Sequence, residues 1–378
     1  MSKMHELYER GQSVWLDYID RQLLSSGKLD ELIRNGLRGM TSNPSLFEKA
    51  IADGHAYRSD LRHLASGNLN AKTIYERLAI VDIQRAADSF KPLYDGSGGG
   101  DGYVSLEVSP ELAHDTAGTV EEARRLWSQV GRSNVMIKVP ATEQGLAAIE
   151  QLISEGININ VTLLFSLTMY QKVAERYIAG LTRRVAAGND VRRVSSVASF
   201  FVSRVDTAVD ALIEERLKNA TSAEAPALKG LLGKAALANA KLAYQLYQSI
   251  FSGANWKALA GAGARTQRLL WASTGTKNRS YSDVLYVEEL IGKDTVNTLP
   301  PATLDAFIEH GRIRDSLADD VKGAKDVIDA LSTAGISLDD VSRRLLEEGE
   351  QSFATAFEKM LDAVDQARMK ESPAAARA

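Results

Sequence analysis

Short apolar runs alternate with longer segments of helical periodicity along most of this chain. The apolar runs fall near residues 13–17, 37–41, 102–108, 134–139, 157–163, 194–201, 269–274 and 294–298. Each has the length of a buried strand, and each is followed by residues whose apolar positions recur at helical spacing. Helices are predicted at 21–34, 71–91, 142–155, 167–180 and 203–219. Thr142 before Glu143 and Gln144 reads as a helix start, and Gly156 as its stop. Eight strands with intervening helices predict an α/β fold, a (β/α)8 TIM barrel of parallel strands.

Two segments exceed a minimal barrel. Residues 44–70 interrupt the path after the second strand, and 207–268 is too long for one crossover helix. Within the latter, 233–250 reads as an alanine-rich helix and 220–228 as a loop. The glycine-rich run 95–102 reads as a flexible loop, because it lacks the Gly-Lys-Ser/Thr ending of a phosphate loop. From 301 the chain is helical, with interruptions expected at Gly311, Gly323 and Gly335. Residues 338–369 are amphipathic and are expected to pack on the barrel. One domain is expected over 1–378: a barrel core at about 13–310, a helical extension at 311–369 and a disordered tail at 370–378.

Composition narrows the function classes. Lys and Arg total 45 against 49 Asp and Glu, a net charge of -4, which is no basic footprint for nucleic acid. There is no cysteine, so disulfides, thiolate catalysis and cysteine-ligated metals are excluded. The five histidines, at 5, 55, 63, 114 and 310, form no close pair that would suggest a metal site. No run approaches the length of a membrane span, and the first residues lack a signal peptide's apolar segment. The expectation is a cytoplasmic protein with neither a nucleic-acid nor a membrane partner, as a monomer or a homodimer.

The candidate chemistry lies near strand ends. Lys138 interrupts the apolar run Asn134-Val-Met-Ile-Lys-Val-Pro-Ala-Thr142. A charged amine is costly in such a strand, and burial that disfavours the charge makes an amine a better nucleophile, suited to a Schiff base with a carbonyl. Strand parity groups Lys138 with Met136 and Pro140, Glu107 with Ser105 and Ser109, and Thr162 with Asn158 and Asn160. Glu107 can move protons during carbinolamine formation and dehydration, and Asp17 can take a proton from a substrate hydroxyl. Asn160 and Thr162 suit substrate hydroxyl contact and water positioning. Ser199, Ser203 and Arg204, where a strand meets a helix, suit phosphate, and Lys277 can assist. Each has a plainer reading: a snorkelling lysine, a Glu107–Lys138 salt bridge, a helix cap at Asp17, an Asx-Pro turn at Asn43, surface positions for Arg204 and Lys277.

These residues lie in segments that together resemble the transaldolase family, in its longer bacterial form. The segments are Trp15-Leu-Asp-Tyr-Ile19, Gly39-Met-Thr-Ser-Asn-Pro44, Val104-Ser-Leu-Glu-Val-Ser-Pro110, Met136-Ile-Lys-Val-Pro-Ala-Thr142, Gly156 to Ser166, Ser199-Phe-Phe-Val-Ser-Arg-Val-Asp206 and Trp271-Ala-Ser-Thr-Gly-Thr-Lys-Asn278. The resemblance implies a class I Schiff-base mechanism on a (β/α)8 barrel, with no cofactor and no metal. It implies Lys138 as the Schiff-base lysine, Glu107 as the general acid/base and Asp17 as the base at the C4 hydroxyl. Asn43 and Asn160 match the asparagines that hold the donor, and Thr162 the threonine that holds the catalytic water with Glu107. Ser199 and Arg204 match the residues near the substrate phosphate. The implied reaction moves a dihydroxyacetone unit from sedoheptulose 7-phosphate to glyceraldehyde 3-phosphate, in the pentose phosphate pathway. Shorter members of the family read Ser-Pro-Phe-Val-Gly-Arg where this chain reads Ser199-Phe-Phe-Val-Ser-Arg204. They also carry a second phosphate arginine where Lys277 is the nearest cation here.

Three other readings stay open at this level. A simple aldolase would use the same lysine and release free dihydroxyacetone. A sugar-phosphate binding protein would have no need of Lys138, Glu107 and Asp17 together. A scaffolding protein would leave the polar strand ends without a purpose.

Overall fold

The computed structural model describes residues 2–52, 56–65 and 69–371. Eight parallel strands among them close into a barrel in chain order: β1 Gln12–Asp17, β2 Gly39–Thr41, β3 Tyr103–Glu107, β4 Val135–Pro140, β5 Ile159–Leu164, β6 Ser196–Phe201, β7 Arg268–Ala272 and β8 Thr295–Leu299. β8 pairs back onto β1, with Gln12 opposite Thr295 and Leu16 opposite Leu299. All the expected strands are present, each within two residues of its expected ends. Strands such as Val-Met-Ile-Lys-Val-Pro are buried along their whole length, because one face meets the barrel interior and the other meets helices.

The interior is a packed core whose residues match one another across strands. The Trp15 ring lies over Gly39, where an added Cβ would come within 2.5 Å of the indole. Tyr103 stands beside Trp15, with ring centroids 6.3 Å apart. At the N-terminal end, buried Asp101 accepts from Arg38 Nε at 2.7 Å, from Ser13 Oγ at 3.0 Å and from Arg268 Nη2 at 3.0 Å. The glycine-rich run is therefore a tight turn carrying Asp101 into the barrel floor, not the flexible loop expected. Its left-handed backbone at Gly98, Gly99 and Gly102 makes that path possible.

Several helices depart from expectation for local reasons. The segment 21–34 forms two helices, Arg21–Ser25 and Lys28–Arg34, because Gly27 turns left-handed between them at φ 80°. Part of the expected loop 220–228 belongs to a short helix, Ala225–Lys229. Gly323 does not interrupt a helix. It lies in the first turn of Val321–Thr333, where Asp320 accepts its N–H at 3.0 Å. The first insertion contributes helices Pro44–Ala52 and Arg58–Ala65. The second contributes Ala235–Ile250 and Ala254–Gly261 after helix Ser203–Leu217. The last helix, Leu338–Glu371, packs on both helices of the first insertion and reaches β5. Phe357 on it meets Tyr75 edge-on at 5.8 Å, and Tyr75 meets Phe47 in the same way at 5.6 Å. The tail expected at 370–378 lies, from 372 on, outside the described residues.

Candidate active site

Strand register brings the polar strand ends to one rim. Glu107 on β3 is opposite Lys138 on β4, and Lys138 is opposite Asn160 on β5. Pro140 is opposite Thr162, and Asp17 on β1 is opposite Thr41 on β2. These are the C-terminal ends of parallel strands, where barrel enzymes carry their chemistry.

Lys138 is 5% exposed. Its Nζ donates to Glu107 Oε2 at 3.1 Å and to the Ser42 carbonyl at 3.3 Å. The ring of Phe353 lies 5.6 Å from the same nitrogen. The snorkelling reading therefore fails, while the salt bridge to Glu107 is present. Burial pushes the Glu107 carboxyl above its ordinary value; Lys138 opposes the shift and Asp17 adds to it. Burial also raises the Asp17 carboxyl, against the pull of Lys138, a hydrogen bond from Thr41 and the charge of Lys277. Thr41 Oγ1 donates to Asp17 Oδ1 at 2.7 Å and is itself 2.7 Å from Thr298 Oγ1. Two carboxyls of raised proton affinity thus share one rim with the Lys138 amine. That arrangement suits proton exchange during imine chemistry.

Asn160 is held on both sides. Its Nδ2 donates to Ser105 Oγ at 3.0 Å, and its Oδ1 accepts from Ser199 Oγ at 2.6 Å. Ser199, expected beside a phosphate, spends its hydroxyl on Asn160 inside the barrel. Thr162 Oγ1 is buried with no hydrogen-bond partner among the described residues. It sits in a register irregularity of β5, next to Leu163 at φ 60°. A bulge of this kind re-aims a side chain, and an orphaned buried hydroxyl is suited to hold water or a substrate hydroxyl. Asn43 caps helix Pro44–Ala52, accepting from Leu46 N at 3.1 Å, so its turn reading holds.

Arg204 is the second residue of helix Ser203–Leu217 and is half-buried, its guanidinium 5.4 Å from the Phe201 ring. Burial lowers its pKa, and Glu348 opposes the shift. A cation so placed at a helix N-terminus suits an anionic ligand. Ser203 Oγ lies 2.9 Å from Ser273 Oγ and ties the end of β6 to that of β7. Lys277 follows on an exposed segment. Among the described residues, no group of three or more His, Asp or Glu is arranged to hold a metal ion.

A family profile described as Transaldolase/Fructose-6-phosphate aldolase matches residues 14–364. The chain belongs to this family. Among curated relatives, a transaldolase of Thermobifida fusca is 48% identical over 97% of this chain and 98% of its own length. One of Trichodesmium erythraeum is 45% identical over 97% and 98%. One of Thiobacillus denitrificans is 49% identical over 93% and 96%. Identity at this level across nearly the whole length makes the chain an enzyme with transaldolase activity, a transferase.

The two residues that depart from the short family pattern within Ser199–Arg204 have structural accounts. Phe200 packs edge-on against Tyr170 and Trp271, and Ser203 makes the hydroxyl link to Ser273. Sequence reasoning missed Thr41, Ser42 and Thr298, although the first two lie inside a motif it quoted. It also missed Phe353, for which the sequence carried only a helical apolar pattern.

Proposed function

We propose that the transaldolase activity of this chain runs through a Schiff base on Lys138. Sedoheptulose 7-phosphate and glyceraldehyde 3-phosphate are converted reversibly to erythrose 4-phosphate and fructose 6-phosphate, a step of the pentose phosphate pathway. The observation that carries the mechanism is the buried Lys138 amine 3.1 Å from Glu107, a carboxyl whose proton affinity burial has raised.

Lys138 passes a proton to Glu107 and attacks the ketose C2 carbonyl. Glu107 returns the proton to the carbinolamine hydroxyl, which leaves as water held by Thr162, and an iminium remains. Asp17 takes the proton of the C4 hydroxyl. The C3–C4 bond breaks, its electron pair enters the iminium and an enamine forms, while the first aldose departs. The enamine carbon then bonds to the carbonyl carbon of the incoming aldose, and Asp17 returns its proton to the new hydroxyl. Water, guided by Glu107 and Thr162, hydrolyses the iminium and frees the product. Asn43 and Asn160 hold donor hydroxyls, with Ser199 orienting Asn160. Arg204 and Lys277 bind phosphate.

A cytoplasmic location suits such substrates, because phosphorylated sugars do not cross a bilayer and are used where they are made. No helix among the described residues is long and apolar enough to cross a membrane. A monomer and a homodimer both fit. Product analysis with fructose 6-phosphate, with and without erythrose 4-phosphate, tests the reading. Sedoheptulose 7-phosphate formed only with the acceptor is expected. Free dihydroxyacetone at equal rates in both cases would make the chain an aldolase instead.

A further inference from the structure

The steps above make no use of the C-terminal helix, yet it crosses the catalytic mouth of the barrel. Ser342 Oγ donates to the Phe165 carbonyl just beyond β5 at 3.1 Å. Gly349 lies against Leu163 and Arg204: an added Cβ would come within 2.9 Å of the leucine and 3.6 Å of Arg204 Nη1. Glu350 Oε2 lies 3.1 Å from His114 Nε2, on the segment after β3. Phe353, one turn on, sets its ring 5.6 Å from Lys138 Nζ and is itself buried. Phe357 then anchors the helix on Tyr75.

We propose that Phe353 decides between transfer and hydrolysis, by covering the enamine formed on Lys138 so that water cannot protonate it. The inference rests on the Schiff-base reading. The enamine carbon neighbours the carbon bonded to Nζ, so a ring 5.6 Å from Nζ is within reach of that carbon. Two reactions compete there. In transfer, the enamine carbon bonds to the acceptor aldehyde. In hydrolysis, the same carbon takes a proton from water and becomes the iminium of dihydroxyacetone. A second water adds to the iminium carbon, the C–N bond breaks, and free dihydroxyacetone and the Lys138 amine result. Excluding water from a reactive intermediate is a recognised role of elements that close over a site. The ring also faces a cation within the range of cation–π attraction, which favours the iminium.

The test compares wild type with Phe353→Ala and Phe353→Leu on fructose 6-phosphate and erythrose 4-phosphate. The measured quantity is free dihydroxyacetone released per sedoheptulose 7-phosphate formed. Both products come from one enamine, so their ratio does not depend on the fraction of enzyme that is folded. Phe353→Ala should raise the ratio about tenfold or more, while Phe353→Leu, which keeps the cover and loses the π face, should stay near wild type. In heavy water the dihydroxyacetone released by Phe353→Ala should carry one deuterium on carbon. An unchanged ratio, with both rates falling together, would overturn the proposal and leave Phe353 a packing residue. Absence of a borohydride-trapped adduct on the wild type would overturn the Schiff-base reading itself.

Discussion

Replacing Lys138 by methionine takes the positive charge out of a buried pair and leaves two carboxyls facing the same rim. The Lys138 and Glu107 side chains are 7% and 6% exposed and 3.1 Å apart. Removing one partner of such a pair costs about 3–5 kcal/mol when the other must stay charged. Glu107 can escape that cost by holding a proton. Its carboxyl is already above the ordinary value because of burial, and Lys138 is the largest influence pulling it back. In Lys138→Met the native carboxyl rises further, while the unfolded one keeps its ordinary value. The native state then binds more protons than the unfolded state, so stability is fully present below the unfolded pKa and is lost as pH rises through the native one. Each pH unit over which the native carboxyl stays protonated and the unfolded one does not changes stability by about 1.4 kcal/mol. The assay is urea unfolding of wild type and variant at about pH 5 and about pH 8. The difference between the proteins should widen at the higher pH, towards about 3–5 kcal/mol, the cost of an unpaired buried charge. A difference that does not change with pH would refute the account of the pair.

Three further outcomes follow from particular contacts. Asp206 is buried, accepts from Ala236 N at 2.7 Å and Tyr286 Oη at 2.8 Å, and is pushed up to about 6 by burial. The Asp206 contribution to stability should therefore decline by up to about 3 kcal/mol between about pH 4 and pH 6, and denaturant titrations of wild type and Asp206→Asn should differ by that slope. Arg204→Gln should raise KM for phosphorylated donors by about tenfold or more and leave an unphosphorylated ketose unaffected in steady-state kinetics. Equal losses on both donors would remove Arg204 from phosphate binding. Gly39→Ala forces a Cβ to within 2.5 Å of the Trp15 indole, and calorimetry should show a loss of about 1–3 kcal/mol.

The barrel was legible because each strand announces itself locally, as an apolar run between helical segments, and because eight such units in succession match a closed (β/α)8 barrel. The candidate site was legible as a cluster for a related reason. Lys138, Glu107, Asn160 and Thr162 are polar residues on buried strands; parity groups them within each strand, and register then brings the strands' polar faces to one rim. Contacts that depend on distant packing were not legible. The sequence shows Phe353 as an ordinary apolar residue of an amphipathic helix; only the path of that helix across the mouth brings it to Lys138. Ser199 shows the same limit, since its nearness to Arg204 in sequence suggested phosphate while its hydroxyl points to Asn160. The glycine-rich run misled because glycine marks both loose loops and tight turns. Its partner Arg268 lies on β7, far along the chain. Whether a single glycine breaks a helix, as Gly27 does and Gly323 does not, turns on backbone angles that composition does not specify.

The central claim is a covalent intermediate on Lys138. Wild type and Lys138→Ala are treated with borohydride in the presence of fructose 6-phosphate, and intact masses are compared. A dihydroxyacetone-sized adduct on the wild type alone is the predicted result. No adduct on either, with substrate binding shown independently, would contradict the Schiff-base mechanism, and an adduct on both would place it on another lysine.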